Sequence, residues 1–214
     1  MNRRDVVVDA AGERLEGFLT LPPQTRSLVF FAHGSGSSRF SPRNNMVAEQ
    51  LNGAGIGTLL FDLLTLEENR IDEITREYRF DIDLLARRLA AAVDWAAGEA
   101  ATANLNFGLF GSSTGAAAAL IAAAERPLQV KAVVSRGGRP DLAGADLPLV
   151  RAPTLLIVGG DDIQVIELNE AAAAQMVNSP QLEIVPGATH LFEEPGTLEQ
   201  VVHLAIDWFK LHLS

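Results

Sequence analysis

The sequence of 214 residues contains no cysteine, and only 6% of its residues are aromatic. Without cysteine the chain has no disulfide, no thiolate metal ligand and no cysteine nucleophile. The four histidines are scattered and lack the spacing of metal ligands, so no metal site is predicted. Covalent chemistry must therefore use oxygen or nitrogen atoms, and we expect no cofactor.

Basic residues are also scarce, with 17 Lys and Arg against 27 Asp and Glu, a net charge of −10. Such a chain repels phosphate backbones and anionic membrane surfaces, so nucleic acid and membrane are not expected partners. The longest apolar run, Ala116 to Ala124, is too short to cross a bilayer. The basic start, Met1 to Arg4, leads into acidic residues rather than a signal segment, which favours a cytoplasmic protein.

The length fits one domain spanning residues 1–214. Eight apolar or alternating runs predict strands: Asp5–Val8, Leu15–Leu21, Leu28–Ala32, Thr58–Phe61, Leu105–Phe110, Ala132–Ser135, Thr154–Val158 and Leu182–Val185. Helical patterns alternate with the later runs, which predicts an α/β protein of three layers with a mostly parallel central sheet. The helix-free opening predicts antiparallel strands at one edge.

Two segments between these runs carry further expectations. Residues 63–79 are charged and irregular, which predicts a loop or short helix over the sheet edge and no separate lid domain. Thr197 and Gln200 have the spacing of a capping box at the start of the last helix.

The sharpest motif is Gly-Ser-Ser-Thr-Gly at residues 111–115, placed between a predicted strand and an alanine-rich helix. It matches Gly-x-Ser-x-Gly, the nucleophile elbow, in which a strained turn exposes a serine and small flanking residues let the backbone approach. A polar Ser/Gly loop is the plainer alternative, but the strand before and the helix after favour Ser113 as a nucleophile.

A serine hydroxyl needs a base within hydrogen-bond reach. His190 follows the last predicted strand, where it can overhang the strand ends, and is therefore the candidate base. His203 and His212 fall in the final helix and are interpreted as surface or packing residues, while His33 is expected to hold its loop by hydrogen bonding.

The acid that orients the histidine is expected at another strand end. Asp161 and Asp162 both follow the run Thr154–Val158, and Asp141 is an outlying alternative. The chain order is then Ser, Asp, His, which is the order of α/β hydrolases. One residue of the pair can instead serve the turn or cap the next helix.

Residues 33–38, His-Gly-Ser-Gly-Ser-Ser, follow the third predicted strand. The backbone amides of Ser35 and Thr114 are the candidate oxyanion hole, with Gly36 as the alternative donor. A phosphate-binding turn is the competing interpretation, but no lysine follows and the Gly-x-Gly-x-x-Gly spacing is absent.

Arginines at 39, 43, 136 and 139 also follow predicted strands. Arg39, Arg43 and Arg136 are candidate substrate-binding residues for a carboxylate, although solvated surface positions are the commoner case.

These four motifs resemble the α/β-hydrolase superfamily, and within it the small dienelactone-hydrolase-like branch. The resemblance covers nearly the whole chain, through residues 33–36, 111–115, 159–165 and 187–190. It favours Asp162 as the acid, since the family acid typically stands three residues before an apolar residue, here Val165. Dienelactone hydrolases carry a cysteine nucleophile where this chain has Ser113, so the resemblance implies ester or thioester hydrolysis rather than dienelactone as substrate.

The sequence therefore predicts a serine hydrolase that cleaves an ester or thioester of a small molecule through an acyl-enzyme on Ser113. An acyltransferase or another cofactor-free reaction on the same fold is one alternative, and a non-catalytic binding protein is the other. The acyl and alcohol groups and the oligomeric state are left open.

Overall fold

The structure, a computed structural model, describes residues 3–10 and 12–214, and within them eight strands form one sheet. Met1 and Asn2 of the basic start, and Ala11, lie outside the described residues. The strands are β1 (Arg3–Ala10), β2 (Glu13–Thr20), β3 (Ser27–Ala32), β4 (Gly57–Phe61), β5 (Asn106–Ser112), β6 (Val130–Arg136), β7 (Thr154–Gly159) and β8 (Gln181–Val185). Each predicted strand overlaps one of these.

The strand order across the sheet is β1-β2-β4-β3-β5-β6-β7-β8. The β1–β2 and β2–β4 pairs are antiparallel, whereas the other pairs are parallel. The predicted mostly parallel sheet with an antiparallel amino-terminal edge is confirmed. The carboxyl ends of β3, β5, β6, β7 and β8 lie at one edge of the sheet. The candidate site residues come after these strands in the chain and so meet at this edge.

Helices cover both faces of the sheet, as the predicted three-layer architecture requires. They are α1 (Pro42–Gly53), α2 (Leu66–Thr75), α3 (Ile82–Gly98), α4 (Thr114–Glu125), α5 (Ile163–Ala173) and α6 (Thr197–Leu213), with a 3₁₀ segment at Pro140–Leu149. One apolar core lies beneath α3 and α4, and a second lies beneath α1 and α6. That residues 1–214 form one domain stays a prediction.

The described helices include none that is both long enough and apolar enough to cross a bilayer. The longest, α3 and α6, have 17 residues each, and both bury only one face.

The charged stretch at 63–79 forms α2 rather than a loop. Thr65 Oγ1 accepts from the Glu68 N–H at 3.2 Å, and Glu68 Oε2 accepts from the Thr65 N–H at 2.8 Å, a reciprocal cap. Arg88 of α3 holds the same carboxylate at 2.7 Å and donates to the Leu63 carbonyl at 3.1 Å. These bonds fix the start of α2 against α3 and the segment that follows β4.

The capping box predicted at Thr197 and Gln200 is wrong. Gly196 occupies the cap position with φ +82°, and Thr197 is already the first residue of α6. The Thr197 hydroxyl donates to the Glu194 carbonyl at 2.7 Å, which closes the preceding turn. A hydroxyl aimed back at that turn cannot accept from the helix amides.

Candidate active site

Ser113 occupies the sharp turn between β5 and α4. Its backbone has φ 52° and ψ −123°, a conformation that residues with a side chain rarely adopt. Such a turn stores strain and lifts the serine above the strand ends, as a nucleophile elbow does. The Ser113 N–H donates to the Arg136 carbonyl at 3.3 Å, and its carbonyl accepts from Arg139 N–H at 3.0 Å, which holds the turn on β6.

The glycines of the motif are required by close backbone contacts. A Cβ on Gly115 would lie 2.2 Å from the Ala32 carbonyl oxygen, and one on Gly111 would lie 2.4 Å from Ala116 Cα. The elbow therefore packs directly against both β3 and the first turn of α4.

This contact predicts a stability effect. Gly115→Ala should lower the free energy of unfolding by about 1–3 kcal/mol, because the added methyl meets backbone that cannot move aside as a side chain can. Gly53→Ala is the matched control, since nothing lies within 4 Å of a Cβ there, and it should be neutral or slightly stabilising. Urea unfolding measures both; equal values for the two variants would contradict the packing described.

His190 and Asp162 are hydrogen-bonded to each other. The Nδ1–Oδ2 distance is 2.7 Å, with the histidine side chain 38% and the aspartate side chain 17% exposed. Asp162 follows β7 and His190 follows β8, so adjacent parallel strands bring the two loops together. The adjacent Asp161 is exposed, and Asp141 binds Arg139 at 2.8 Å instead. Of the three candidate acids, Asp162 is the one that contacts His190.

Backbone hydrogen bonds hold these two loops in register. The Asp161 N–H donates to the Ala188 carbonyl at 3.0 Å, and the Gly160 N–H donates to the Val185 carbonyl at 2.8 Å. Asp161 therefore serves the turn through its backbone, which leaves the Asp162 side chain free to bind the imidazole. Asp162 occupies the cap position of α5 but makes no side-chain cap bond.

Glu194 is a residue of this loop that the sequence reasoning missed. Its carboxylate accepts from the Thr189 hydroxyl at 2.6 Å and from the Thr189 N–H at 3.1 Å. The hydroxyl bond, followed by backbone bonds, lowers the pKa of Glu194. Glu194 thus fixes the residue before His190; nothing in the sequence pattern marked it.

Ser113 and His190 both lie beside the carboxyl end of β6. The described residues show no direct hydrogen bond between the two side chains. Gly137 follows Arg136, the acceptor of the Ser113 N–H, and a Cβ on Gly137 would lie 2.9 Å from the His190 carbonyl. Hydrogen bonds between a nucleophile and its base are often long in the absence of substrate and shorten when the substrate binds.

Ser35 and Thr114, the candidate oxyanion residues, meet through their hydroxyls at 2.9 Å. The Thr114 N–H is the first of α4, so it has no carbonyl partner within the helix. A Cβ on Gly34 would lie 3.1 Å from Ser113 Cβ, which places this glycine-rich loop against the nucleophile candidate. The arrangement can present backbone amides to an oxygen that becomes negative beside Ser113.

His33 holds the base of this loop. The buried ring accepts from the Leu63 N–H at Nε2, 3.1 Å away, and Nδ1 lies 3.1 Å from the Gly34 carbonyl. Because Nε2 accepts a hydrogen bond, the two bonds assign a single ring proton to Nδ1, and burial lowers the pKa of His33. His33 therefore positions the loop through hydrogen bonds at both ring nitrogens.

Arg79 covers the same loop from the α2–α3 connection, and the sequence reasoning did not select it. Its carbonyl accepts from the Ser35 hydroxyl at 3.3 Å, and its Nη1 lies 3.0 Å from where a Cβ on Gly36 would stand. Asp72 holds the guanidinium at 2.6 Å. Gly36, the alternative oxyanion donor, therefore lies beneath Arg79.

The sequence model of the alpha/beta hydrolase domain matches residues 25–206, which span the elbow and both loops. The chain belongs to the α/β-hydrolase family.

Among solved structures, this α/β hydrolase is similar to a dienelactone hydrolase from Anabaena variabilis. The two are 56% identical with a TM-score of 0.98, over 100% of this chain and 99% of that one. Est1E from Butyrivibrio proteoclasticus is 20% identical with a TM-score of 0.78, over 97% of each chain, which supports the fold alone. The dienelactone-hydrolase-like character expected from the motifs is confirmed.

A Mycobacterium tuberculosis protein is 59% identical over 98% of this chain and is named, provisionally, a phosphoribosyl transferase. The match covers 46% of that protein, so this α/β hydrolase spans about half the length of the curated relative.

The three candidate substrate arginines differ in how their charges are balanced. Arg39 pairs with Asp62 and Glu16, within a cleft of about 300 Å³ beside the His33 loop. Arg43 pairs with Glu193 at 2.9 Å. Arg136 is buried and makes no ion pair with any residue in 3–10 or 12–214. That these three arginines bind the substrate of this α/β hydrolase stays a prediction.

The remaining histidines of this α/β hydrolase lie on α6. His203 is exposed, whereas His212 packs its ring 4.3 Å from that of Trp208, and burial lowers its pKa. Both fit the surface and packing roles expected from the sequence.

Proposed function

We propose that this α/β hydrolase cleaves carboxylic esters or thioesters of small substrates through an acyl-enzyme on Ser113. The observation that carries the proposal is the 2.7 Å bond between His190 Nδ1 and Asp162 Oδ2. A carboxylate at Nδ1 keeps the proton there and leaves Nε2 as the base, which is the tautomer that can activate a serine. Chain order, strand position and the strained Ser113 turn all agree with this assignment.

In the proposed first step, Ser113 Oγ bonds to the acyl carbon while His190 takes the hydroxyl proton. The carbonyl oxygen becomes an oxyanion that accepts hydrogen bonds from the N–H groups of Thr114 and Ser35, with Gly36 as the alternative. The carbon–oxygen or carbon–sulfur bond to the leaving group then breaks, and the imidazolium gives its proton to that group. Asp162 stabilises the imidazolium throughout.

In the second step, His190 takes a proton from water, whose oxygen bonds to the acyl carbon. The carbonyl bond re-forms, Ser113 leaves with a proton from the imidazolium, and the carboxylic acid is released. The residues that act are Ser113, His190 and Asp162, and no step needs a bound metal or cofactor.

The name of the Anabaena relative supports ester chemistry, since a lactone is a cyclic ester. The name of the mycobacterial relative describes a protein of which this chain matches 46%, so it does not by itself bring phosphoribosyl transfer to these residues. Acyl transfer on the same acyl-enzyme is the second candidate, because an alcohol can replace water as the attacking group.

Turnover in ¹⁸O-labelled water separates these candidates. With p-nitrophenyl butyrate and a matched butyryl thioester, we expect butyrate carrying one ¹⁸O atom per leaving group released. Adding glycerol as an acceptor should leave this ratio unchanged. Butyryl-glycerol as the main product would instead favour a transferase, and the absence of turnover with every ester and thioester tested would contradict both.

A further inference from the structure

Arg136 is a buried cation without a counter-ion. It is the last residue of β6, and only 7% of its surface is exposed. No described residue forms a hydrogen bond or ion pair with its guanidinium, and Nη1 is fully buried without a partner. Burial, followed by the charge of Arg43, lowers the pKa of Arg136 to about 10, so it is still charged at neutral pH. A charge in this setting costs stability.

The position of Arg136 relates it to the candidate active site. It pairs in the sheet with Ser112, and its carbonyl accepts from the Ser113 N–H at 3.3 Å. The neighbouring Arg43 is held at 2.9 Å by Glu193, three residues after His190. Two guanidinium groups therefore lie near each other beside the elbow and the histidine loop, and Glu193 pairs with only one of them, Arg43.

Arg88 and Arg39, in contrast to Arg136, have carboxylate partners. Arg88 is equally buried, with 5% of its surface exposed, yet it holds Glu68 at 2.7 Å and a backbone carbonyl at 3.1 Å. Arg39 has two carboxylate partners. Since the chain has ten more acidic than basic residues, carboxylates are not scarce. Of the two arginines buried among residues 3–10 and 12–214, Arg136 is therefore the one without a partner.

We infer that Arg136, assisted by Arg43, is an anion-binding subsite that selects substrates whose acyl or leaving group carries a carboxylate or a phosphate. This inference rests on the proposed function, because the bound group would belong to the ester attacked by Ser113. The planar fork of a guanidinium binds two oxygens of such a group at once. Binding would supply the missing counter-ion and offset the burial of the charge.

Arg136→Met tests the selection while keeping an unbranched apolar stem. The kcat/KM for p-nitrophenyl hemisuccinate should fall about 10- to 100-fold, the range expected when a charged hydrogen-bonded partner is lost. The kcat/KM for neutral p-nitrophenyl butyrate should fall much less, so the preference for the hemisuccinate over the butyrate should drop about 10-fold or more. Arg136→Lys should recover only part of the loss, since an ammonium lacks the fork. Arg126→Met is the control for net charge, because Arg126 pairs with Asp94 on the surface.

Binding to the Ser113→Ala variant separates this subsite from the proposed hydrolysis. Succinate and inorganic phosphate, titrated separately by calorimetry, should bind Ser113→Ala and lose that binding when Arg136→Met is added. The anion that binds identifies the carboxylate or the phosphate as the preferred group. If no ester is hydrolysed but this binding holds, the proposed function fails and the subsite stands.

Thermal unfolding gives a readout that a structural arginine would not give. Without anion, Arg136→Met should raise the Tm, because a buried unpaired charge is replaced by an apolar side chain. A lower Tm, equal losses for neutral and anionic esters, or unchanged anion binding in Arg136→Met would each overturn the inference.

Discussion

Replacing Ser113 with alanine should abolish ester hydrolysis, with kcat lower by about 10⁴ to 10⁶. The hydroxyl is the attacking atom of the proposed cycle, and neither His190 nor Asp162 can take its place. The partly buried side chain makes no hydrogen bond to another described residue, so folding should be unaffected. Steady-state kinetics with p-nitrophenyl butyrate and circular dichroism on the same preparation measure the two effects.

Ser112→Ala is the matched control for this experiment. Ser112 is buried on the strand side of the elbow, and its hydroxyl lies 3.1 Å from Asn44 Oδ1. The variant should lose about 1 kcal/mol of stability and retain hydrolysis. If Ser112→Ala were inactive while Ser113→Ala retained hydrolysis, the nucleophile would be displaced by one residue from our assignment.

Replacing Asp162 with asparagine should cost about 10⁴ in kcat while the protein stays folded. The asparagine amide would turn its N–H toward Nδ1, which moves the imidazole proton to Nε2 and removes the base. Asp161→Asn changes the same charge one residue away. Because Asp161 holds the turn through its backbone N–H rather than its carboxylate, that variant should lose less than about threefold.

Kinetics of Asp162→Asn, Asp161→Asn and Asp141→Asn, measured side by side, check the acid. Equal losses for the two adjacent aspartates would mean that charge near His190 matters and tautomer control does not. An active Asp162→Asn beside an inactive Asp141→Asn would move the acid to the end of β6, although Asp141 now binds Arg139 at 2.8 Å.

The sheet could be predicted from the sequence because its central strands are covered on both faces. β3, β4 and β7 are buried at every residue, so each reads as a continuous apolar run of branched and aromatic residues. Helix α2 was harder, since only Asp72 of its residues is buried and no apolar stripe marks it. Its reciprocal Thr65–Glu68 cap was the available signal.

The candidate site was predictable where backbone geometry dictates the residue. A Cβ on Gly111 or Gly115 would lie only 2.2–2.4 Å from backbone atoms, so both positions require glycine and leave a recognisable motif around Ser113. Partner choice was not predictable in the same way. Adjacent aspartates such as Asp161 and Asp162 differ only in which one the turn aims at His190, and family spacing rather than residue chemistry favoured Asp162.

Which of the arginines have carboxylate partners could not be predicted from the sequence, for a related reason. Arg39, Arg43 and Arg136 all follow strands, and their sequence contexts do not distinguish them. The partners that separate them, Asp62 and Glu193, come from other elements of the fold. The missing partner of Arg136 can only be recognised once all neighbouring elements are in place.

The central claim, that Ser113 is a nucleophile activated by His190, is tested most directly by covalent labelling with a fluorophosphonate. Intact-mass spectrometry followed by peptide mapping should find one adduct per chain, on Ser113, and His190→Ala should slow its formation by at least about 10². An unlabelled protein, or an adduct on a residue other than Ser113, would contradict the claim.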